Sequence, residues 1–149
     1  MSDIKTKLMA DIKASMKSGD KQHLGVLRLI SSAVKQREVD ERVDTDDSAM
    51  IQILDKMAKQ RRESIEQFEA ASRQDLADAE KSELAIIQTY LPEQLSTEEI
   101  DSLIGDAITS TGAASIRDMG KVMGLLKPQL QGRADMSAVS AQIKSRLTT

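Results

Sequence analysis

The side chains that most often carry catalysis are scarce in this sequence and stand apart where they occur. There is no cysteine, and the one histidine, His23, has no second histidine at helical spacing. A metal site or an acid–base pair needs several such groups close together. Glycine-rich phosphate loops of the Walker type and Gly-x-Ser-x-Gly elbows are also missing. The sequence therefore predicts no catalytic residue, no metal and no cofactor.

The stretch DMGKVMGLLKPQLQGRAD, residues 118–135, is better suited to binding than to catalysis. Gly120 and Gly124 are one helical turn apart, and each glycine inside a helix costs about 1 kcal/mol relative to alanine. We infer that something approaches this helix face closely. Two alternatives are open: another helix of the same domain packs on the glycines, or the backbone of a ligand, such as a sugar–phosphate chain, lies against them.

Basic and amide side chains accompany these glycines and would suit contacts to phosphate. They are Lys121, Lys127, Gln129, Gln131 and Arg133. The segment from Ser115 to Thr149 contains six basic and two acidic residues, which gives it a net charge of +4. No aromatic residue lies there, so a bound nucleic acid would be recognised by its shape and backbone. The alternative is an ordinary solvated helix surface.

Helical periodicity recurs along the whole chain, and we predict an all-α protein with seven helices and no strand. The first helix carries an apolar stripe at four-residue steps: Ile4, Leu8, Ile12 and Met16. Pro128 would interrupt the helix of the glycine pair, which must kink or restart there. Gly132 is a candidate C-terminal cap of that helix.

A third helix is predicted from about Asp46 to Ala70, and its apolar seam is interrupted by Arg61. Buried charges are normally paired, so a carboxylate from a neighbouring helix is one explanation of this position. The other explanation is a contact to phosphate or to a partner between domains.

A domain boundary is predicted at Pro92. A residue before proline is disfavoured in helical geometry, so the fourth helix, predicted from about Arg73 to Tyr90, should be stopped by Leu91-Pro92. The sequence Ser96-Thr-Glu-Glu99 is a capping-box pattern and should start the next helix. We expect a helical N-terminal domain at residues 1–92 and a small three-helix C-terminal domain at residues 93–149.

Composition and length favour some cellular locations of the protein over others. The chain has 149 residues, no cysteine, and no apolar run near the roughly 20 residues of a membrane span. Its N-terminus lacks a basic region followed by an apolar one. These features predict a cytoplasmic protein with no membrane association.

Three ordered segments resemble one family. They are KMAKQRRESIEQF (56–68), RQDLADAEKSELAIIQTYLPEQLS (73–96) and the glycine-containing stretch 118–135; LRLISSAVKQRE (27–38) also fits. The chain resembles the GatB/YqeY family, specifically its stand-alone YqeY-like members, over nearly its whole length.

The resemblance implies a helical N-terminal domain and a helical tail domain. It also implies kinship with the tail of the B subunit of the glutamine-dependent aspartyl/glutamyl-tRNA amidotransferase, where that tail contacts the outer corner of tRNA. By motif match, Lys121, Gly132 and Arg133 are RNA-facing candidates. With Gly120, Gly124 and Lys127 they form the predicted RNA-binding set.

Three functions follow as hypotheses. The first is a non-catalytic, tRNA-associated accessory protein that also binds a protein partner, such as a tRNA-charging or amidation enzyme. The second is a component of tRNA-dependent amidation, since family labels name carbon–nitrogen ligases with glutamine as amido donor. The B subunit's catalytic cradle has no counterpart in this short chain, so that activity would need a partner. The third is a protein-interaction module without RNA.

Overall fold

The computed structural model describes residues 2–148, and within them all regular secondary structure is helical, with no strand. The predicted all-α class and the number of seven α-helices are confirmed for these residues. The helices are α1 (Asp3–Ser18), α2 (Lys21–Glu41), α3 (Asp47–Ala70), α4 (Gln74–Gln88), α5 (Thr97–Thr111), α6 (Met119–Leu130) and α7 (Met136–Leu147), with a single 3₁₀ turn at Ile116–Asp118 before α6.

The fold separates into two compact units, the first ending at Pro92 and the second beginning at Glu93. That each unit folds as an independent domain stays a prediction.

Helix ends follow the local sequence signals. Ser2, Asp20 and Asp46 accept backbone N–H groups at the starts of α1, α2 and α3. The predicted capping box between Ser96 and Glu99 is formed at the start of α5. These side chains satisfy backbone donors that have no partner within the helix, so each start is fixed locally.

The first unit surrounds a core built from α1 to α4. Helices α3 and α4 form a hairpin joined by residues 71–73. The core consists of Leu8, Val26, Leu27, Ile30, Val34, Met50, Ile53, Leu54, Ala58, Ile87, Tyr90 and Leu91. Of the stripe predicted on α1, Leu8 is buried and Ile4 and Ile12 are half-buried, but Met16 is exposed.

Tyr90 joins α1 to the segment that follows α4. Its hydroxyl donates a hydrogen bond to Asp11 Oδ2 at 2.5 Å, and the Lys7 ammonium lies 4.8 Å from the ring centroid. Burial of the phenol, followed by the Asp11 carboxylate, raises the pKa of Tyr90. The phenol therefore stays a neutral donor and holds the end of α4 just before Pro92.

We expect Tyr90→Phe to lower the free energy of unfolding by about 1.5 kcal/mol, because a buried hydrogen bond to a charged acceptor is lost. Urea denaturation followed by circular dichroism measures this change. Asp11→Asn keeps an acceptor oxygen and should cost less than Asp11→Ala. Equal losses for the two Asp11 variants would contradict the role given to this hydrogen bond.

Two carboxylates hold the start of α1. Asp47 Oδ1 accepts the Ser2 hydroxyl and the Ile4 N–H, while Glu38 Oε2 accepts the Lys5 ammonium at 2.7 Å and the Thr45 N–H at 3.0 Å. Donation from Lys5, and then from Thr45, lowers the pKa of Glu38. The Ser2 hydroxyl, and then the Ile4 N–H, lowers the pKa of Asp47. Both groups are therefore more stable ionised in the folded chain.

A pKa that is lower in the folded state stabilises the fold above the unfolded-state pKa, and this contribution is lost as pH falls through the folded-state pKa. The ordinary values are 4.5 for Glu38 and 3.8 for Asp47. Glu38→Gln and Asp47→Asn should therefore melt below the parent at pH 7, and the difference should shrink as pH approaches 3. Melting temperatures across this range test it; a difference independent of pH would exclude the carboxylate charge as the cause.

The second unit packs α5, α6 and α7 around one apolar core: Ile104, Ala107, Val122, Leu126, Leu130, Ala134, Val139, Ile143 and Leu147. Arg146 on α7 pairs with Asp101 on α5. The arginine passes close to Gly105, where a Cβ would lie 3.4 Å from its Nη1, at van der Waals contact. The ion pair and the shared apolar core thus hold α5 and α7 together.

Helix α6 continues through Pro128 and ends at Leu130. Of the two outcomes predicted at the proline, a kink or a restart, the restart is not seen, and the kink stays a prediction. Pro128 lies in the last turn, where its missing N–H removes only one hydrogen bond before the helix ends. Gly132 follows with a φ of 76°, as its predicted capping position requires.

Candidate nucleic-acid interface

Helix α6 has one buried face and one solvent-exposed face. Val122, Leu126 and Leu130 are buried at four-residue steps and define the side that packs on the core. The opposite side is exposed and carries Gly120, Lys121, Gly124, Lys127 and Pro128, which we call the glycine face. The helical repeat places these five residues together.

The two glycines of this face meet no other part of residues 2–148. A Cβ built on Gly120 or on Gly124 would find no heavy atom within 4 Å outside its own helix backbone. Packing of another helix of the same domain, one of the two alternatives drawn from the sequence, is therefore wrong. The cause is the helix register, because the buried stripe occupies the opposite side of α6.

Lys121 and Lys127 flank the glycines and carry charge that the described residues do not neutralise. Among residues 2–148 no carboxylate lies within ion-pair distance of either ammonium group. The nearby Asp118 carboxylate accepts the N–H groups of Ala114 and Ser115 at 2.9 and 3.3 Å. These two hydrogen bonds, with a smaller effect from the charge of Lys121, lower the pKa of Asp118.

Charge is segregated among the three helices of this unit. Helix α5 carries four acidic residues and no basic one: Glu98, Glu99, Asp101 and Asp106. Helices α6 and α7 carry four basic residues and no acidic one: Lys121, Lys127, Lys144 and Arg146. A polyanion would therefore be attracted to α6 and α7 and repelled by α5.

Gly132 and Arg133, also predicted to face RNA, lie in the loop after α6 and support its geometry. Gly132 is buried, and its carbonyl accepts the Gln94 side-chain amide at 2.7 Å. Arg133 is half-buried; its Nε donates to the Glu93 carbonyl at 3.2 Å, and its own carbonyl accepts the Leu95 N–H at 2.9 Å. Both residues tie this loop to residues 93–95, and an RNA contact by either one stays a prediction.

Arg61 is a residue of α3, and its side chain pairs with two glutamates of α4. Its Nε is 3.1 Å from Glu83 Oε2 and 3.6 Å from Glu80 Oε2. About a fifth of the arginine side chain is exposed. Of the two explanations drawn from the sequence, the structure shows pairing with carboxylates of a neighbouring helix. A contact between domains or with a partner, the other explanation, stays untested.

His23 lies in the first turn of α2, where its backbone N–H donates to the Asp20 side chain. Within residues 2–148 no group of three or more histidine, cysteine, aspartate and glutamate side chains is arranged to hold a metal ion. No helix in this range is long and apolar enough to cross a membrane.

The family model described as "Yqey-like protein" matches residues 5–147. The chain belongs to the YqeY-like family. The resemblance drawn from the three sequence segments is thereby confirmed.

Relatives of this YqeY-like chain occur in fungi. A protein of Pyrenophora tritici-repentis is 33% identical over 141 residues, which cover 93% of this chain and 77% of the relative. A protein of Lachancea thermotolerans is 30% identical over 149 residues, which cover 95% and 80%. Both are named "Altered inheritance of mitochondria protein 41, mitochondrial".

These names contradict the cytoplasmic location predicted from the sequence, because the relatives are described as mitochondrial. That prediction is wrong, and its basis explains why. A cysteine-free sequence excludes disulfide bonds, but it does not distinguish one compartment without disulfides from another.

Sequence reasoning missed two exposed apolar side chains in the second unit. Ile116 in the 3₁₀ turn is 44% exposed and Leu125 on α6 is 41% exposed. Leu125 falls outside the buried spacing of Val122, Leu126 and Leu130, and that offset was the available signal. By the helical repeat Leu125 borders the glycine face, next to Lys121 and Pro128.

The open space around the glycines makes their substitution a test of stability. Gly120→Ala and Gly124→Ala should each raise the stability of the second unit by up to about 1 kcal/mol, because alanine is the better helix former and meets no neighbour. Gly132→Ala should lower it by about 1–2 kcal/mol, because its φ is left-handed.

Native-state hydrogen exchange at the buried amides of Val122 and Leu126 reports on this unit separately from the first. Slower exchange in the Gly120 and Gly124 variants and faster exchange in the Gly132 variant are the expected results. Destabilisation by Gly120→Ala would show that this face is packed.

Proposed function

We propose that this YqeY-like protein is a non-catalytic RNA-docking protein whose glycine face receives the sugar–phosphate backbone of a folded RNA, tRNA being the first candidate. One observation carries the proposal: Gly120 and Gly124 cost helix stability, a Cβ on either would meet nothing within 4 Å among residues 2–148 outside its own helix backbone, and they share their face with two lysines that have no carboxylate partner in that range. Internal packing does not account for these glycines, so an external ligand is the remaining explanation.

The dimensions of this face suit a nucleic-acid backbone. Lys121 and Lys127 are six residues apart, which is about 9 Å along the helix axis. A strand of nucleic acid presents about one phosphate per 3.4 Å of its axis, so a strand lying along this face would place phosphates beside both lysines. Gly124 between them, and Gly120 one turn earlier, would let the strand approach the helix without meeting a Cβ.

Recognition at this face would depend on RNA shape. Phosphate contacts fix position but do not identify bases. Helix α6 has no aromatic side chain on which an unpaired base could stack. The acidic α5 in the same unit would discourage binding on its side and so orient the RNA.

A protein partner is the competing occupant, and the exposed Ile116 and Leu125 favour it. An apolar helix could place its own side chains against the glycines. Binding of this kind would depend weakly on salt, whereas phosphate binding releases counterions and depends on salt strongly. An amidation role would then come through such a partner.

Salt-dependent binding of unfractionated tRNA, measured by fluorescence anisotropy, tests the proposal. Lys121→Ala and Lys127→Ala should each weaken binding of all tRNAs alike and reduce the slope of log K against log salt by about one unit. Lys59→Ala, an exposed lysine on α3, is the matched control and should behave as the parent.

Gly120→Leu separates shape from charge. It should weaken tRNA binding while leaving the salt slope nearly unchanged, and the melting temperature should not fall because the added side chain points into open space. If the parent does not bind tRNA, or if the two lysine variants bind as well as Lys59→Ala, the RNA proposal is wrong.

A further inference from the structure

An apolar groove runs between α1 and α2 in the first unit. It encloses about 530 Å³. Leu8 and Val34, both almost completely buried, line its floor with the half-buried Ile12. Met9 and Met16 border it and are 50% and 57% exposed. The groove thus has a floor of buried side chains and two exposed methionines at its border.

The stripe predicted on α1 extends into this groove without being covered. Ile12 and Met16 continue the four-residue spacing of the buried Leu8, yet neither is fully buried. An apolar stripe on a helix is normally covered by a partner element. Clustered exposure of this kind marks interaction surfaces more often than scattered apolar residues do.

The rim of the groove is positively charged. Lys13 and Lys35 are exposed, and no carboxylate among the described residues lies within ion-pair distance of either one. Lys5 is neutralised by Glu38, its partner at 2.7 Å. The occupant therefore meets an apolar floor and two free cations, which selects an apolar ligand with negative charge at its edges.

The shape of the groove favours a helix over a flat surface. Met9 to Met16 spans seven residues, or about 10 Å, which is two helical turns. A ridge of side chains from a third helix can lie in the depression between two packed helices. Methionine side chains adapt to such ridges because they are flexible and polarizable. A bilayer surface would touch the projecting methionines but leave the floor between them unfilled.

We propose that this groove binds an acidic amphipathic helix of a partner protein. Apolar side chains of that helix, spaced at i, i+3 or i+4, and i+7, contact Leu8, Ile12 and Val34. Glutamate or aspartate side chains beside the apolar stripe pair with Lys13 and Lys35. The site lies in the first unit and is independent of the glycine face.

Two synthetic amphipathic peptides of 18 residues test this proposal on the full chain. Both carry leucine at the same i, i+3, i+4 and i+7 positions; one has glutamate and the other has lysine beside the stripe. Methyl spectra of the chain labelled at methionine give a local readout. The acidic peptide should shift Met9 and Met16 while leaving the fully buried Met50 unchanged, and the basic peptide should bind at least tenfold more weakly.

Charge reversal of the rim provides the second arm. Lys13→Glu combined with Lys35→Glu should weaken the acidic peptide at least tenfold and strengthen the basic one. Lys56→Glu combined with Lys59→Glu, on α3, makes the same change of net charge and should leave both affinities near those of the parent.

Three results would overturn the proposal. Neither peptide shifts Met9 or Met16; both peptides bind equally well; or the two methyls respond to phosphatidylcholine–phosphatidylglycerol vesicles and not to the peptides. The last result would assign the groove to a membrane surface.

Discussion

Helix α6 can bury only one of its sides, and this constraint determines what the second unit presents to solvent. Its apolar residues at 122, 126 and 130 supply the core between α5 and α7. Gly120, Lys121, Gly124, Lys127 and Pro128 then fall on the far side. The same register that closes the core therefore exposes two glycines and two lysines, with the exposed Leu125 at the edge of this surface.

Charge and loop geometry add direction to that surface. Acidic residues are confined to α5 among the three helices, and basic residues to α6 and α7. The loop after α6 is held to residues 93–95 through Gly132 and Arg133, so the C-terminal end of the helix is fixed. A rigid, cationic helix face is better prepared to bind an anionic backbone than a mobile one, since less order is lost on binding.

The sequence could predict features that depend on neighbours in the chain. Apolar spacing, the capping box at Ser96 and the stop before Pro92 are local, and each appears in the fold. The family was also predictable, because the segments that resemble it are continuous stretches of the sequence.

Features set by distant residues could not be decided in this way. The carboxylates that pair with Arg61 lie about twenty residues away on α4, so the sequence left two explanations open. Whether the glycines of α6 were packed or bare depended on how three helices meet. Met16 kept the helical spacing but lay beyond the reach of the core. The cellular compartment could not be predicted either, because the amino-acid composition of a folded chain does not identify it.

Binding of an RNA backbone by the glycine face of α6 is tested most directly by amide chemical shifts of the full chain during titration with tRNA. We predict that the largest shifts occur at Gly120, Lys121 and Gly124, and that they disappear as salt is raised. Shifts confined to other helices, or no shift at these amides while tRNA binds, would contradict it.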